Sequence, residues 1–239
     1  MPAITETDHV VITGANRGIG LELVRAARMT GARVSALCRR PDRAQALSAL
    51  AEADRRLTIH AADVSDRDQL QAAAEKIERH VTLLVCNAGQ YRGRGDMDEG
   101  DYSPGAWETM LMTNVAGVFF TIEAFMPNLR MARSRGLPAR IAVMSSLMAS
   151  SARAPGGSYI YRASKAAATN LARNIAQDLR PDAIAVASYH PGWVSTDMGG
   201  PRAPVTPSAA ASGLLQRFGL LEPETSGAFE DYQGVPLMF

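Results

Sequence analysis

The sequence predicts an α/β protein, a single domain in which a parallel β-sheet carries helices on both faces. Its 239 residues fit one domain of this kind. Short runs rich in Val, Ile and Leu alternate with amphipathic stretches, a pattern typical of βαβ units with right-handed crossovers. A glycine-rich turn joins the first apolar run to the first helical stretch. We therefore expect one domain over residues 1–239, without internal repeats or linkers.

The elements follow in order along the chain. Apolar runs predict strands at 9–13, 33–38, 57–61, 81–86, 141–145 and 183–189. Amphipathic patterns predict helices at 66–79, 107–129 and 158–179. Within the first of these, Leu70, Ala73, Ala74 and Ile77 form one apolar stripe. The segment 199–212 is rich in Pro, Ala and Ser, which predicts a surface loop beside the substrate.

Composition narrows the function classes. The net charge of +1 gives no electrostatic reason to expect nucleic acid or an anionic membrane as a partner. No uninterrupted apolar run approaches the roughly 20 residues that span a bilayer. Residues 1–8 lack a basic region followed by an apolar core, so we expect no signal peptide and a cytoplasmic location. Cys38 and Cys86 fall in apolar runs and are expected in the core, which argues against a metal site.

The turn after the first predicted strand carries the first functional signal. Gly14, Gly18 and Gly20 are spaced G-x-x-x-G-x-G and are followed by a helical pattern. Such a loop lets the backbone approach a pyrophosphate and directs a helix N-terminus at its charge. The alternative is an ordinary tight turn. The position between a strand and a helix favours nucleotide binding, with Asn16, Arg17 and Ile19 in the same loop.

A second signal lies in the last long predicted helix. Tyr161 and Lys165 are four residues apart, so both side chains lie on one helix face. A nearby ammonium favours the phenolate and is expected to lower the tyrosine pKa toward the range of an acid–base catalyst. Lys165 is one of only two lysines in a chain that has 25 Lys and Arg residues in total. The alternative interpretation is a solvated surface pair.

Taken together, these motifs resemble the short-chain dehydrogenase/reductases. The resemblance spans almost the whole chain and implies a Rossmann fold with a seven-stranded parallel sheet of order 3-2-1-4-5-6-7, whose last strand lies near 227–232. Residues 161–165 and the tail 227–237 resemble the carbonyl-reductase branch that includes the sniffer and C-factor proteins. The markers are Thr13 to Gly20, Asp63-Val64, Asn87-Ala88-Gly89, Asn114, Ser145-Ser146, Tyr161 to Lys165 and Pro191 to Met198.

The resemblance implies four catalytic residues. Tyr161 is the acid in carbonyl reduction, and Lys165 lowers its pKa and bonds the nicotinamide ribose. Ser146 holds the substrate oxygen as charge develops there, with Ser145 the competing serine and residues 150 and 151 minor alternatives. Asn114 holds a water that links Lys165 to solvent. Alternatively, Asn114 is an ordinary helix asparagine whose side chain bonds a neighbouring carbonyl.

The resemblance also implies cofactor contacts after several strands. Asp63 is expected to bond the adenine amino group, although a turn or helix-cap role competes. The backbone of Val194 is expected to fix the nicotinamide carboxamide. The complete implied cofactor set is Gly14, Asn16, Arg17, Gly18, Ile19, Gly20, Arg39, Asp63, Val64, Asn87, Ala88, Gly89, Tyr161, Lys165, Pro191, Gly192, Val194 and Thr196.

The end of the second predicted strand indicates which nicotinamide cofactor is used. NAD-binding proteins of this kind place an acidic residue there to hold the ribose hydroxyls. This strand instead ends in Arg39 and Arg40, and Asp42 comes later. With Arg17, these side chains suit a 2′-phosphate, so we expect NADP(H) in preference to NAD(H). The alternative is that the two strand-end arginines are simply solvated charges.

The expected substrate pocket is mostly apolar, which favours a ketone or aldehyde over a phosphorylated sugar. Its residues are Leu147, Met148, Gln90, Tyr91, Trp193 and Met198, all of which would serve equally as ordinary packing. By resemblance, helices 107–129 and 158–179 pair between subunits of a homodimer or homotetramer. The leading interpretation is an NADPH-dependent carbonyl reductase. The alternatives are an alcohol dehydrogenase working oxidatively and a dinucleotide-binding regulatory or signalling protein.

Overall fold

The computed structural model describes residues 4–239, and within that range seven parallel strands form one sheet. The order β3-β2-β1-β4-β5-β6-β7 confirms the implied topology. The strands are β1 His9–Thr13, β2 Arg33–Cys38, β3 Leu57–Ala61, β4 Leu83–Cys86, β5 Arg140–Met144, β6 Ala185–His190 and β7 Phe229–Asp231. β6 begins two residues later than predicted because Ala183 adopts a left-handed φ of 51° in the preceding turn.

Helices cover both faces of the sheet, as the sequence pattern predicts. They are α1 Gly18–Met29, α2 Gln45–Ala53, α3 Arg67–Lys76, α4 Pro104–Leu111, α5 Gly117–Ser134, α6 Tyr159–Asp178 and α7 Pro207–Gly219. One core layer packs α1, α2 and α7 against the sheet, and its largest buried members include Leu23, Leu47 and Phe218. The other layer packs α3, α5 and α6, with Phe125 and Leu129 fully buried.

The helical segment Pro104–Ser134 is longer than the predicted helix 107–129. Ser103 caps its start by accepting from the Ala106 N–H, and a π-helical turn over Met112–Ala116 joins α4 to α5. Among the described residues, this is the one helix long and apolar enough to cross a membrane by length and composition. Half of its most apolar window is buried, and α5 packs against α3 and the sheet, so it is a core helix.

The predicted loop at 199–212 is wrong in its second half. Helix α7 begins at Pro207, and the Thr206 hydroxyl accepts a hydrogen bond from the Ala209 N–H at 3.2 Å. A threonine N-cap followed by a first-turn proline is a helix-start signal, which the Pro, Ala and Ser composition concealed. The loop therefore ends at Thr206.

Candidate active site

A cavity of about 510 Å³ opens at the carboxyl edge of the sheet, beside the point between β1 and β4 where the strand order reverses. Ligands of open parallel sheets bind at such switch points. We call it the carboxyl-edge cavity. Its lining includes these predicted site residues: Gly14, Asn16, Arg17, Gly18, Ile19, Gly20, Arg39, Asp63, Val64, Asn87, Ala88, Gly89, Gln90, Tyr161, Lys165, Pro191, Thr196 and Met198.

The lining also contains residues that sequence reasoning had not assigned to the site. They are Cys38, Ala62, Thr113, Met144, Ser195, Asp197 and Pro207. Cys38, Ala62 and Met144 lie at or just after the ends of β2, β3 and β5. A search for every residue at the carboxyl end of a predicted strand would have found these three.

The backbone of the glycine loop is packed so closely that a side chain on Gly20 would not fit. A Cβ on Gly20 would collide with the carbonyl oxygen of Gly14 and lie 2.6 Å from the amide nitrogen of Asn87. That amide donates to the carbonyls of Thr13 and Gly14 at 2.9 and 3.2 Å. The Asn87 side chain therefore ties the end of β4 to the loop after β1 and shapes the floor of the cavity.

The N-terminus of α1 points its first backbone N–H groups toward the carboxyl-edge cavity, where Gly18, Ile19 and Gly20 form part of the wall. Within residues 4–239, no side chain caps this helix at Arg17. The first N–H groups of a helix need acceptors and carry the positive end of the helix dipole. This environment fits the pyrophosphate of a dinucleotide.

Arg17 reaches across the mouth of the cavity. Its Nη1 donates to the Asp197 carboxylate at 2.7 Å, and both side chains are largely exposed. Behind this ion pair the glycine loop approaches the segment after β6, since a Cβ on Gly18 would lie 3.3 Å from Thr196 Cγ2. An exposed ion pair of this kind stabilises by only about 1 kcal/mol or less, so a bound phosphate can displace it.

Asp63 and Arg39 line the cavity just after the ends of β3 and β2. Asp63 Oδ1 accepts from the backbone N–H and hydroxyl of Ser65 at 3.0 and 2.7 Å, which is the turn role that the sequence left open. Its Oδ2 lies 3.9 Å from Arg39 Nη1. Arg39 and Arg40 both line the cavity. The positively charged side chains expected beside a 2′-phosphate are therefore present after β2. The Asp63 carboxylate partly neutralises the charge of Arg39.

Tyr161 and Lys165 lie on the buried face of α6, at the end of the cavity away from Arg39. The Lys165 ammonium donates to the Met144 carbonyl at 2.7 Å and lies 5.8 Å from the Tyr161 ring centroid. Both side chains are buried in the protein, with exposures of 5% and 8%. The surface-pair alternative for these two residues is therefore wrong.

Burial, rather than the ammonium, dominates the pKa of Tyr161. Desolvation raises it to about 12, a hydrogen bond with Ser146 lowers it, and Tyr91 raises it. The net shift is therefore opposite to the lowering that the sequence predicts, because desolvation is its largest cause. Burial also lowers the pKa of Lys165 to about 8. Desolvation disfavours the charged form of each group, so the phenol keeps its proton at neutral pH. The ammonium still stays largely charged there, because its lowered pKa of about 8 lies above neutral pH.

The two adjacent serines after β5 have different surroundings. Ser146 lies beside Tyr161 and lowers the pKa of its phenol, and its Oγ accepts from the Met148 N–H at 3.1 Å. Ser145 lies on the cavity wall, yet its hydroxyl turns to Thr169 Oγ1 at 2.5 Å. The geometry therefore favours Ser146 over Ser145 as the partner of the tyrosine.

Asn114 is fully buried in the π-helical turn, a feature common at functional sites. Its amide exchanges hydrogen bonds with the backbone of Gln90 at 2.8 and 2.9 Å and donates to Ser164 Oγ at 3.0 Å. A Cβ on Gly89 would lie 3.4 Å from Asn114 Oδ1 and 3.5 Å from Lys165 Nζ. Asn114 and Lys165 therefore both lie beside Gly89, and Asn114 also bonds a neighbouring carbonyl, that of Gln90.

Only some of the predicted cofactor residues in the segment after β6 line the cavity. Pro191 and Thr196 line the carboxyl-edge cavity, whereas Gly192 and Val194 do not. Val194 is buried and forms a short bridge with Val205. The expected contact of its backbone with a carboxamide stays a prediction.

The predicted substrate residues separate into three groups. Gln90 and Met198 line the cavity. Tyr91 and Met148 pack in a small cluster around Tyr161, and Leu147 lies in the adjoining single turn Leu147–Ala149. Trp193 is 55% exposed, and its indole N–H donates to the Gly199 carbonyl at 2.8 Å. Part of the expected pocket lining is therefore packing around the tyrosine.

The residues present fit a dinucleotide. Close-packed glycines and an uncapped helix face the phosphate region, cationic side chains lie at one end, and a buried phenol–ammonium pair lies at the other. In the part of the chain that the structure describes, no cluster of His, Cys, Asp and Glu could hold a metal ion.

Comparison with known proteins agrees with this geometry. The C-signal protein of Myxococcus xanthus is 38% identical over 158 residues, which cover 64% of this chain and 90% of that protein. The carbonyl reductase Sniffer of D. melanogaster superposes with a TM-score of 0.91 at 29% identity, covering 97% of this chain and 99% of Sniffer. An NADPH-bound carbonyl reductase from chicken fatty liver gives a TM-score of 0.91 at 31% identity, with both chains fully covered.

These similarities confirm the resemblance to the carbonyl-reductase branch. The family model described as short chain dehydrogenase matches residues 8–205, from the start of β1 to the end of the loop before α7. That range contains the glycine loop, the π-helical turn and the Tyr161–Lys165 pair. The chain therefore belongs to the short-chain dehydrogenase family.

Proposed function

We propose that this protein is an NADPH-dependent oxidoreductase that reduces the carbonyl of a ketone or aldehyde to an alcohol, with Tyr161 as proton donor. One observation carries the proposal. A buried phenol that keeps its proton at neutral pH lies with a buried ammonium on the wall of the carboxyl-edge cavity, and the Ser146 side chain lies beside the phenol. A dinucleotide-binding module without chemistry has no physical need for this arrangement.

The side chains supply the proton and the charge stabilisation. Bound NADPH would provide the hydride that reduces the carbonyl carbon. The Ser146 hydroxyl donates to the carbonyl oxygen as negative charge develops there, a contribution of a few kcal/mol in comparable sites. Tyr161 transfers its proton to that oxygen, which completes the alcohol. The Lys165 ammonium then stabilises the phenolate that remains, because the two groups lie in a poorly solvated environment.

NADP(H) is the cofactor that the positively charged side chains after β2 favour. Two arginines on the cavity wall directly follow β2, and Arg17 lies in the glycine loop. Guanidinium groups bind phosphate through paired, charge-assisted hydrogen bonds. The similar chicken carbonyl reductase was solved with NADPH, which supports the same preference here.

The residues around the tyrosine support an apolar carbonyl substrate. Met198 lines the cavity, and Tyr91 and Met148 pack next to Tyr161. Flexible methionines and flat aromatic rings suit an aryl or alkyl ketone or aldehyde.

Two alternatives make different demands on the site. Oxidation of an alcohol needs Tyr161 as a phenolate base, whereas its raised pKa keeps the proton on and favours reduction. The similarity to the C-signal protein supports a regulatory or signalling role, which would need dinucleotide binding without turnover. Measuring turnover in each direction distinguishes both alternatives from the proposed reduction.

The test is a spectrophotometric assay of the wild-type protein. NADPH consumption is followed with a panel of aldehydes, ketones and quinones, with NADH in parallel and the matching alcohols tested with NADP⁺. We expect faster turnover with NADPH than with NADH, and reduction faster than oxidation at neutral pH. Tight NADPH binding without turnover of any compound would favour the signalling alternative instead.

A further inference from the structure

Tyr91 lies directly against the proposed proton donor. Its ring stacks on Tyr161 with the two centroids 4.3 Å apart and an angle of 30° between the planes. Tyr91 comes just after the Asn87 to Gly89 segment, so it belongs to the loop that follows β4 rather than to α6. The stack therefore joins two elements that are far apart in sequence.

The orientation of the Tyr91 ring is fixed by two further contacts. Its hydroxyl shares a 2.7 Å hydrogen bond with Ser158 Oγ, and the Arg94 guanidinium lies over the ring, 4.6 Å from the centroid. At these distances Tyr161 and Arg94 cannot both lie on the same face of the Tyr91 ring, so the ring lies between them. A ring covered on both faces and bonded at its hydroxyl has little freedom to rotate.

Ser158 couples this loop to the start of α6. It immediately precedes Tyr159, the first residue of the helix, and adopts the left-handed conformation with φ 51° and ψ 40°. L-residues rarely adopt this conformation unless surrounding contacts hold it. Here the Ser158 N–H donates to the Gly95 carbonyl at 2.7 Å while its hydroxyl meets Tyr91. The same loop thus holds both the helix start and the ring that covers Tyr161.

We propose that Tyr91 is a positioning residue for Tyr161, one that fixes the direction of its phenol and excludes water from one face of the ring. The proposal rests on the proposed function, because the group that it positions is the proposed proton donor. A proton transfer requires the donor oxygen to be within hydrogen-bond reach of its acceptor, and a misplacement of about 1 Å can reduce the rate by about 100-fold.

Several groups surround the Tyr161 phenol. Lys165 comes from its own helix, Ser146 from the segment after β5, and Tyr91 with Arg94 behind it from the loop after β4. Met110 and Met148 belong to the same hydrophobic cluster as Tyr161. Removing the Tyr91 ring admits water to the phenol and also removes the charge effect by which Tyr91 raises the Tyr161 pKa, an effect that Tyr91→Phe removes by itself. The expected consequence is a fall in the pKa of Tyr161 toward its ordinary value, because burial is the largest cause of its elevation.

Three variants distinguish the effect of the ring stacking from that of the Tyr91 hydroxyl and from a nonspecific loss of an aromatic ring. Tyr91→Leu keeps an apolar side chain but removes the flat ring, and Tyr91→Phe keeps the ring. Tyr159→Ala is the matched control, since it removes an aromatic ring at the same end of α6 that pairs with Tyr102 instead. We expect kcat to fall about tenfold or more in Tyr91→Leu, with the KM for NADPH unchanged. Tyr91→Phe should keep most of the wild-type kcat.

The pKa of Tyr161 is an independent measurement that does not depend on turnover. Carbon-13-labelled tyrosine is titrated by NMR, and the Tyr161 resonance is assigned by its loss in Tyr161→Phe. The proposal predicts a lower Tyr161 pKa in Tyr91→Leu than in the wild type, Tyr91→Phe or Tyr159→Ala. Equal pKa values in all four proteins would overturn it. If no protein reduces any carbonyl, the proposed function fails, while the titration still decides whether Tyr91 shields the phenol.

Discussion

Two buried titratable side chains set the pH range of the proposed chemistry. Tyr161 needs its proton to act as a donor, and its pKa of about 12 keeps that proton throughout the physiological range. Lys165 needs its charge to stabilise the phenolate, and burial brings its pKa down to about 8. The group that limits reduction at rising pH is therefore the lysine rather than the tyrosine.

The first prediction is that kcat for reduction stays constant from about pH 6 to pH 7 and falls as pH rises through about 8. The ammonium is present below its lowered pKa and is lost above it. The measurement is kcat against pH with NADPH and carbonyl substrate saturating. In Lys165→Met, kcat is low throughout and shows no step near pH 8. A wild-type kcat that rises through this range would contradict the assignment.

The second prediction concerns Arg39, whose guanidinium lies on the cavity wall near Asp63. Replacing it with alanine is expected to raise the dissociation constant for NADPH by roughly 10- to 100-fold, since a charged hydrogen bond contributes about 1.5–3 kcal/mol. Binding of NADH should be almost unchanged. Arg25→Ala is the matched control, because that exposed arginine lies in α1 and pairs with Glu22. Equal losses for both nucleotides would remove Arg39 from phosphate recognition.

At the residue level, spacing predicted the Tyr161–Lys165 pair but not its pKa values. Four residues on a helix place two side chains on one face, which the sequence shows directly. Their burial depends on Tyr91, Met110 and Met148, which come from separate parts of the chain. Because desolvation is a property of the assembled site, the direction of the Tyr161 shift could not be obtained from the pair alone.

At the level of elements, His9 links three neighbouring segments of the sheet. Its Nε2 lies 2.9 Å from Ser35 Oγ in β2, and its Nδ1 lies 3.0 Å from the carbonyl of His80 before β4. Burial lowers its pKa to about 4. The same cause lowers the pKa of His190, at the end of β6, to about 4. Both imidazoles are therefore neutral in the folded protein at neutral pH.

The third prediction follows from these two histidines. In the unfolded chain each takes up a proton near its ordinary pKa of 6.5, whereas the folded state resists protonation until about 4. Their stabilisation is therefore present above pH 6.5 and is lost as pH falls toward 4. We expect each to reduce the free energy of unfolding by about 2 kcal/mol between pH 7 and pH 5. Urea unfolding at the two pH values measures the loss.

His9→Gln provides the comparison for this effect, because glutamine is polar but does not titrate. The variant should lose about 2 kcal/mol less stability than the wild type over the same pH interval. Equal losses in the two proteins would show that His9 does not contribute. A wild-type stability that is independent of pH would contradict the prediction for both histidines.

Strands and long helices were predictable because their patterns are local. β1, β2 and β3 have the predicted bounds, and the strand order follows the family topology. The start of α7 was missed because the composition around Thr206 and Pro207 resembles a loop. The π-helical turn around Asn114 was also missed, since one extra residue in a helix leaves no mark on hydrophobic periodicity.

At the level of the whole molecule, we expect a homodimer or homotetramer. Leu111, Met112 and Phe119 are large, apolar and at least 38% exposed on the Pro104–Ser134 segment. Leu111 and Met112 precede Phe119 by eight and seven residues on this continuous helical segment, with the π-helical turn between them. Exposed apolar side chains on this segment fit the pairing of helices 107–129 that the family resemblance implies.

The fourth prediction is that Phe119→Glu weakens this assembly, because a charge would be buried at the helix contact. Light scattering should give the wild type a mass of at least twice the 25.5 kDa of one chain and the variant a mass near one chain. Met29→Glu is the control, since Met29 is 87% exposed at the end of α1. A monomeric wild type would contradict the expectation.

The central claim is that the protonated phenol of Tyr161 completes carbonyl reduction, and one comparison tests it most directly. NADPH consumption by the wild type and by Tyr161→Phe is measured with the best carbonyl substrate, and NADPH binding is measured for both. We predict that the variant binds NADPH as the wild type does and loses about 100-fold or more in kcat, the scale of one acid–base group. Undiminished turnover in Tyr161→Phe would contradict the account.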